Sequence, residues 1–524
     1  MLQRPIRVLA RTHHQRHFKK LEKRYKKVNF RFLKTKTDLL ARRNKPKFPT
    51  KKSANFRYIT EEASHNRLPK VYKSNLGIFV ITDYEIMKDA FNKVELSSRF
   101  VNDKLVQASL IMRAQQGLAS VARTILGENC PFFTNGDTGT EGLSTGHYDE
   151  FHKSIRRGLF KSFIKGSEQM EEMLNLNADD LCTAILEQTN ENQSFDPRAL
   201  FMNATLNSLT EVALGKRLDI NDPEFEAVAD SIKTILGNVQ HRVLTKVIHY
   251  LLPMRILKLP FMSRLIDWIN PGEKRFNDAL VKGLLPYILQ QIQLHKESFM
   301  PGQARNFIDS MIESSQNRSE MNFYSASMSV VSLYVASSDS VTVTLCWLLL
   351  TLSKRSDLQA IIRDEVNTSI AKYGRVVRGS CHQTRAILLE NQRHRVVTDS
   401  LPHMAKETIT LDNMTIPKGA LVIGSLTAVM HNGKNFKNPG VFDHTRHLDE
   451  NKRFVHNPKI CAFGIGNRNC VGLKLARDEY FTFASQIVRK FEITPGTDVT
   501  PIPKTWGQLL SPDNVQLKFN PIER

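Results

Sequence analysis

The stretch from Val330 to Leu352, VVSLYVASSDSVTVTLCWLLLTL, carries one charge, Asp339, in twenty-three residues. A run this long and apolar folds either as a membrane span or as a helix enclosed by other helices. An aspartate at mid-membrane costs roughly 2.5 to 3.5 kcal/mol on insertion scales, and the flanks lack the Lys/Arg asymmetry that orients a span. The enclosed helix is therefore expected, and it requires a large, helix-rich body around it.

The surrounding pattern agrees. From about 150 to 375 the periodicity is helical, with breaks near Asn221 to Pro223, Pro253, Pro260 and Asn270 to Gly272. LGIFVITDYEIMKDAF (76 to 91) reads as a β-branched strand turning at Thr82 and Asp83 into a helix. After Glu390 short strands, TITLDNMTI and IPKGALVIGSL, alternate with turns until a last helix at about 471 to 490, and NVQLKFNPI closes as a strand. The expected class is mainly α, one large helical domain with small antiparallel β-sheets. HYLLPMRILKLPFMSRLIDWI (249 to 269) mixes apolar and basic residues as interfacial segments do; core packing is the expectation for it.

A net charge of +22 invites a nucleic-acid reading, so its distribution matters. Residues 1 to 53 hold 19 Lys and Arg against Glu22 and Asp38, or +17, leaving +5 for the rest. A tail without aromatic interleaving or a folded motif does not make a nucleic-acid reader, and no nucleic-acid partner is expected. At 100° per residue Leu2, Ile6 and Leu9 fall on one side of a helix and Arg4, Arg7 and Arg11 opposite. That is the amphipathic, acid-poor character of a mitochondrial transit peptide, without its usual serines; a disordered basic tail is the alternative. Near the N-terminus no run of about 20 apolar residues forms an anchor. Residues 1 to 60 are set apart on this basis from one body, 61 to 524.

Six cysteines, Cys130, Cys182, Cys346, Cys381, Cys461 and Cys470, are scattered without a C-x-x-C pair, which suggests a reducing compartment and argues against structural zinc. One of them has a distinctive neighbourhood. In FGIGNRNCVG, Phe463, Gly466, Arg468, Cys470 and Gly472 satisfy F-x-x-G-x-R-x-C-x-G at every fixed position. Glycines at this spacing let a loop turn tightly beneath a flat macrocycle, and free amides beside the cysteine can donate to a thiolate. Arg468 can pair with a heme propionate and Phe463 can shield the sulfur from water. An iron-bound thiolate pushes electron density that favours O–O cleavage.

With this loop the chain resembles the cytochromes P-450, most closely the animal microsomal branch that oxidises steroids, fatty acids and foreign compounds. The resemblance runs from about residue 66 to the C-terminus. It implies the P-450 fold over the catalytic domain 61 to 524, heme b (iron protoporphyrin IX) as cofactor, and Cys470 as iron ligand. Glu390 and Arg393 match the family's E-x-x-R, an i,i+3 pair on one helix face. Arg446 in FDHTRHL stands where an arginine completes a structural triad with them, although the Phe that follows in the family is His447 here. In DEFHKSIRRGL, His152 and Arg156 take the places of a family Trp and Arg that hold a propionate, and His403 of SLPH matches a further propionate partner. Ala336-Ser337-Ser338-Asp339-Ser340 corresponds to A-G-x-D/E-T, where a distorted helix accommodates dioxygen. Asp339 and Ser340 keep the acid and hydroxyl of its proton relay, while Ser337 replaces the glycine.

The resemblance further implies a monooxygenase that inserts one atom of O2 into a lipophilic substrate, a steroid, fatty acid or xenobiotic. Its alternative is a heme-thiolate protein that binds without turnover, a carrier or isomerase. Electrons would come from an NADPH-dependent flavoprotein reductase or a ferredoxin, docking on basic residues such as Lys474 and Arg477. Peripheral membrane contact is expected, at the endoplasmic reticulum or mitochondrion; the microsomal-type motifs and the transit-like tail point to different addresses. Substrate contacts are expected from residues 105 to 150, 205 to 245, Tyr334 to Ser337, the strand after Arg395 and the region near 511.

Overall fold

The computed structural model describes residues 56–74, 77–98, 150–164, 167–191, 193–219, 222–238, 260–316, 323–506 and 509–522. The transit-like segment and most of the expected substrate-contact stretch 105 to 150, Cys130 included, lie outside the described residues.

The first elements are α1 (Phe56–Ser64), β1 (Val71–Lys73), β2 (Phe79–Ile81) and α2 (Tyr84–Asn92). The helical body follows with α3 (Glu150–Ile164), α4 (Ser167–Glu191), α5 (Arg198–Leu214), α6 (Pro223–Asn238), α7 (Pro260–Ile269) and α8 (Pro271–Asp278). After a π-helical turn over Ala279–Leu284 come α9 (Leu285–Glu297), α10 (Phe307–Gln316), α11 (Phe323–Leu352), α12 (Ser356–Tyr373) and α13 (His382–His394). The remaining part holds β3 (Ser400–Met404), β4 (Ile409–Leu411), β5 (Met414–Ile416), β6 (Leu421–Ser425) and α14 (Leu426–Met430). It ends in α15 (Leu473–Lys490), β7 (Phe491–Pro495), β8 (Pro503–Trp506), β9 (Leu509–Pro512) and β10 (Leu517–Pro521).

The run that opened the argument is α11, which packs against α5, α9 and α15. Its portion Ser327–Leu352 is long and apolar enough to cross a membrane, yet 61% of its most apolar window is buried inside the protein. Leu345, Leu348, Leu349 and Leu352 are fully enclosed. At about 1.5–3 kcal/mol per buried side chain of this size, they outweigh the cost of one buried acid. The helix is α throughout, so the distortion expected at Ser337 to Ser340 does not interrupt it. What marks that stretch is the Ser338 carbonyl, which accepts from the Thr342 hydroxyl at 2.7 Å and from the Thr205 hydroxyl of α5 at 3.2 Å.

The strand-to-helix reading at 76 to 91 emerges as β2 and α2. Asp83 caps α2, its Oδ1 accepting from the amides of Glu85 and Ile86 at 3.0 and 3.1 Å. TITLDNMTI is the hairpin β4–β5, turning at Asp412 and Asn413 with φ of 45° and 62°, left-handed values that Asp and Asn tolerate. The sheets are small. Among the described residues three are two-stranded and antiparallel, and a fourth has the order β1-β2-β6-β3, in which β2 and β6, from distant chain segments, run parallel.

One expectation is corrected. Core packing was expected for 249 to 269; residues 249 to 259 lie outside the described residues, and in α7 the side chains of Trp268 (70% exposed), Ile269 and Leu265 turn outward instead.

Candidate active site

The loop from Cys461 to Gly472 is held in shape by its own backbone. The Cys470 amide donates to the Phe463 carbonyl at 2.7 Å, the Gly464 amide to Cys461 at 2.8 Å and the Asn469 amide to Gly466 at 3.1 Å. Gly464 and Gly466 have φ of +79° and +75°, and a Cβ on Gly466 would stand 2.1 Å from the Phe91 carbonyl oxygen. Glycine is demanded there by both the left-handed backbone and the close approach of α2. The Asn467 amide side chain fastens the loop to the Asn92 carbonyl and the Ser97 hydroxyl at 3.0 and 2.9 Å.

Cys470 follows this turn, just before α15 begins at Leu473, where the positive end of the helix dipole favours a negatively charged sulfur. Among the described cysteines it alone is exposed; Cys182, Cys346, Cys381 and Cys461 are buried. Burial pushes the thiols of Cys182 and Cys461 up to about 12, so they stay protonated and inert.

Side chains from distant segments gather at this loop. Arg156 of α3 donates to the carbonyl and the side-chain oxygen of Asn469 at 2.9 and 2.7 Å, and His152, one turn earlier on the same helix, is buried. Arg468 is buried, its Nε donating to the Ser97 carbonyl at 2.7 Å. His403 of β3 donates from Nδ1 to the Leu96 carbonyl at 2.5 Å and stacks on Phe91, ring centroids 3.9 Å apart. Arg468 and His403 thus converge on the Leu96–Ser97 backbone, although 65 residues separate them.

On α11, Ala336 is exposed and Ser337 and Ser340 are half-buried in the midst of an otherwise enclosed helix. Asp339 is buried, and its Oδ2 has no hydrogen-bond partner; nor has the Ser337 hydroxyl. Burial raises the Asp339 carboxyl to about 6, against the opposing pull of Arg198. Arg198 belongs to α5 and is ion-paired with Asp196, a link that no local pattern announced.

The structure brings Glu390, Arg393 and Arg446 together. Arg393 Nε and Nη2 donate to the two Glu390 oxygens, each at 2.8 Å, and Arg446 Nε reaches Oε1 at 3.3 Å. Arg393 also donates to the carbonyls of Met430, Pro439 and Val441, tying α13 to the segments beyond β6. His447, which stands where the family carries Phe, adds a bond, with Nε2 donating to Glu390 Oε2 at 2.9 Å. Burial alone would raise the Glu390 carboxyl, but the hydrogen bonds from Arg393 and His447 win and bring it down to about 2.

These residues suit a heme. The donor set offers one accessible sulfur, cationic and imidazole groups around its loop, and an unpartnered buried carboxyl oxygen on the helix with the exposed Ala336. A mainly helical fold with small sheets and a single exposed loop thiol among its described residues defines a class. The sequence model of cytochrome P450 matches residues 127–519, and the chain belongs to that family. It is accordingly a heme-thiolate monooxygenase, an oxidoreductase whose cofactor is iron protoporphyrin IX.

The relatives agree. Cytochrome P450 2C55 of Rattus norvegicus is 29% identical over 383 residues, 69% of this chain and 73% of that protein. Cytochrome P450 2C28 of Mesocricetus auratus is 29% identical over 390 residues, 70% and 75% of the two chains. The solved structure of a zebra fish cytochrome P450 with progesterone shares the fold at a TM-score of 0.69 and 20% identity, covering 89% of this chain and 99% of the other.

Proposed function

We propose that Cys470 holds the heme iron and that the chain inserts one oxygen atom from O2 into a steroid, a fatty acid or a xenobiotic. The observation that carries this reading is the placement of Cys470, accessible at the start of α15 in a loop fixed by Gly464 and Gly466. Arg156, His152, His403 and Arg468 hold the propionates; Phe463 and Gly466 shape the loop beneath the ring. Bound there, heme supplies dioxygen binding and two-electron activation. Asp339 would hold a proton at its buried carboxyl, and the Ser340 hydroxyl would relay it by giving up its own proton toward the substrate side as it takes one, with Arg198 supporting the ionised carboxylate left behind. Glu390, Arg393 and Arg446 keep the sulfur side of the body rigid and touch no substrate.

Electrons arrive from a flavoprotein reductase or a ferredoxin through acidic residues that meet Lys474, Arg477 and the basic residues of α3. The protein rests on an intracellular membrane, of the endoplasmic reticulum or mitochondrion, through the exposed Trp268, Ile269 and Leu265 of α7. Residues 1 to 60 form the targeting segment and 61 to 524 the catalytic domain. Those first 60 residues fused to a fluorescent reporter test the address; exclusively cytosolic fluorescence rejects it.

The absorption spectrum of reduced, carbon monoxide-treated protein tests the ligand. The wild type should show the red-shifted Soret band of a thiolate complex and Cys470→Ser should not. Folded wild type that stays colourless with hemin, or ligates iron through imidazole, overturns the assignment. A second reading, heme binding without turnover, is favoured by one feature: Ser337 sets a side chain where the family carries glycine. Reductant-dependent hydroxylation that is lost in Ser340→Ala with heme retained rejects that reading.

A further inference from the structure

Along α15 lie two neighbouring cavities, of about 260 Å³ and 230 Å³, that share Arg378 and Phe481 in their walls. The smaller gathers three guanidinium groups from three segments: Arg378 from the turn before α13, Arg385 from α13 and Arg477 from α15. His456 joins them, and Leu388, Phe454 and Tyr480 supply an apolar floor.

The cations are poorly matched. Arg385 sits over the Phe454 ring, its guanidinium carbon 4.0 Å from the centroid, and its buried Nε has no hydrogen-bond partner. Arg477 sits over Phe463 at 5.2 Å, with one nitrogen 3.4 Å from His456 Nε2. Burial first, and then the charge of Arg378, disfavour the protonated forms of both Arg385 and Arg477. The carboxylates that face the cluster are already engaged. Asp478 accepts from Arg378 at 2.7 Å and Lys474 at 3.5 Å. Glu365 spends its two oxygens on the amides of Gln383 and Thr384, at 2.9 and 2.7 Å. Three guanidinium groups therefore line the recess while the two carboxylates nearest them are occupied, and like charges there are incompletely screened.

We infer that this cavity binds a tetrahedral oxyanion, inorganic phosphate or a phosphate monoester. A carboxylate offers two oxygens in one plane and is satisfied by a single guanidinium fork; three forks and an imidazole N–H match three or four oxygens in different directions. The apolar floor gives room for the organic group of a monoester. Filling the cavity would also neutralise part of the basic surface beside Cys470, but the binding itself does not depend on the heme reading.

The test uses full-length holoprotein and titrates inorganic phosphate or phenyl phosphate by calorimetry, with ionic strength fixed by chloride. One saturable site per chain is expected. Its affinity should fall about tenfold or more in Arg385→Met, which keeps the stack on Phe454 but removes the fork. Tighter binding of phenyl phosphate would identify a monoester site, and equal or weaker binding an inorganic-anion site. Absence of saturable binding to folded wild type, or a response that chloride reproduces, overturns the proposal. If Arg385→Met does not fold, Arg477→Gln replaces it, and an unchanged affinity in whichever variant folds overturns the proposal equally. Because the readout is heat of anion binding, its failure leaves the carbon monoxide spectrum untouched.

Discussion

His447 Nε2 donates a 2.9 Å hydrogen bond to Glu390 Oε2, and both side chains are completely buried. The contact puts an imidazole to work where the family carries a phenyl ring. His447→Phe should therefore destabilise the protein by about 1–3 kcal/mol, because a buried carboxylate loses a donor. Urea unfolding of the holoprotein measures it; a variant at least as stable as wild type would sink the idea.

The same carboxylate predicts an acid limb. Its ordinary value of 4.5 falls to about 2 in the fold, so its stabilisation is fully present above pH 4.5 and is lost as pH falls toward 2. The shift corresponds to something on the order of 3 kcal/mol. Glu390→Gln should flatten that part of the stability–pH curve and lower stability at neutral pH by roughly 3–5 kcal/mol, since Arg393 is left as a buried, uncompensated charge. A parallel downward shift with the acid limb intact would contradict this.

Asp339 has the opposite sign. A carboxyl raised from 3.8 to about 6 costs stability as pH rises between those values, and the cost is constant above. Asp339→Asn should thus raise the melting temperature at pH 8 and leave it nearly unchanged at pH 4. Turnover should move the other way, falling with loss of an inflection near pH 6 in the wild-type profile. An Asn variant that keeps the wild-type pH profile removes Asp339 from the proton route.

Gly466→Ala meets both a left-handed backbone and the Phe91 carbonyl. It should cost at least about 1–3 kcal/mol and move the Cys470 loop, lowering the heme bound per chain. Gly472 has open space around its Cβ position and an ordinary φ, so Gly472→Ala is the control. Equal heme content in the two variants would show that the contact with α2 does not position the loop.

What could be read from the sequence was what adjacency encodes. The F-x-x-G-x-R-x-C-x-G loop, the Glu390–Arg393 helix pair, the Asp83 cap and the buried character of α11 each depend on residues a few positions apart. Contacts made across the chain carried no such mark. Asn469, 313 residues from Arg156, is the anchor of that arginine, and nothing in NRN announces it. Arg198 opposes, from another helix, the upward shift that burial gives Asp339. Arg378 and Arg385 stand in no local pattern and Arg477 was expected only as part of a docking face; the packing of α13 against α15 reveals the three as a cluster. At α7 the periodicity was visible, but the side toward which its apolar stripe would turn is decided by the body it lies on.

The enclosure of α11 has a consequence for biosynthesis. Trp347 donates to the Leu510 carbonyl at 2.9 Å, across 163 residues, and α15 and β7 cover other parts of the same helix. A ribosome making this chain therefore releases a greasy, span-like segment after α5 and α9 but well before the rest of its cover has been translated. During that interval the segment is open to membrane-insertion machinery and to aggregation, and Asp339 is the one charged residue within it that discourages both.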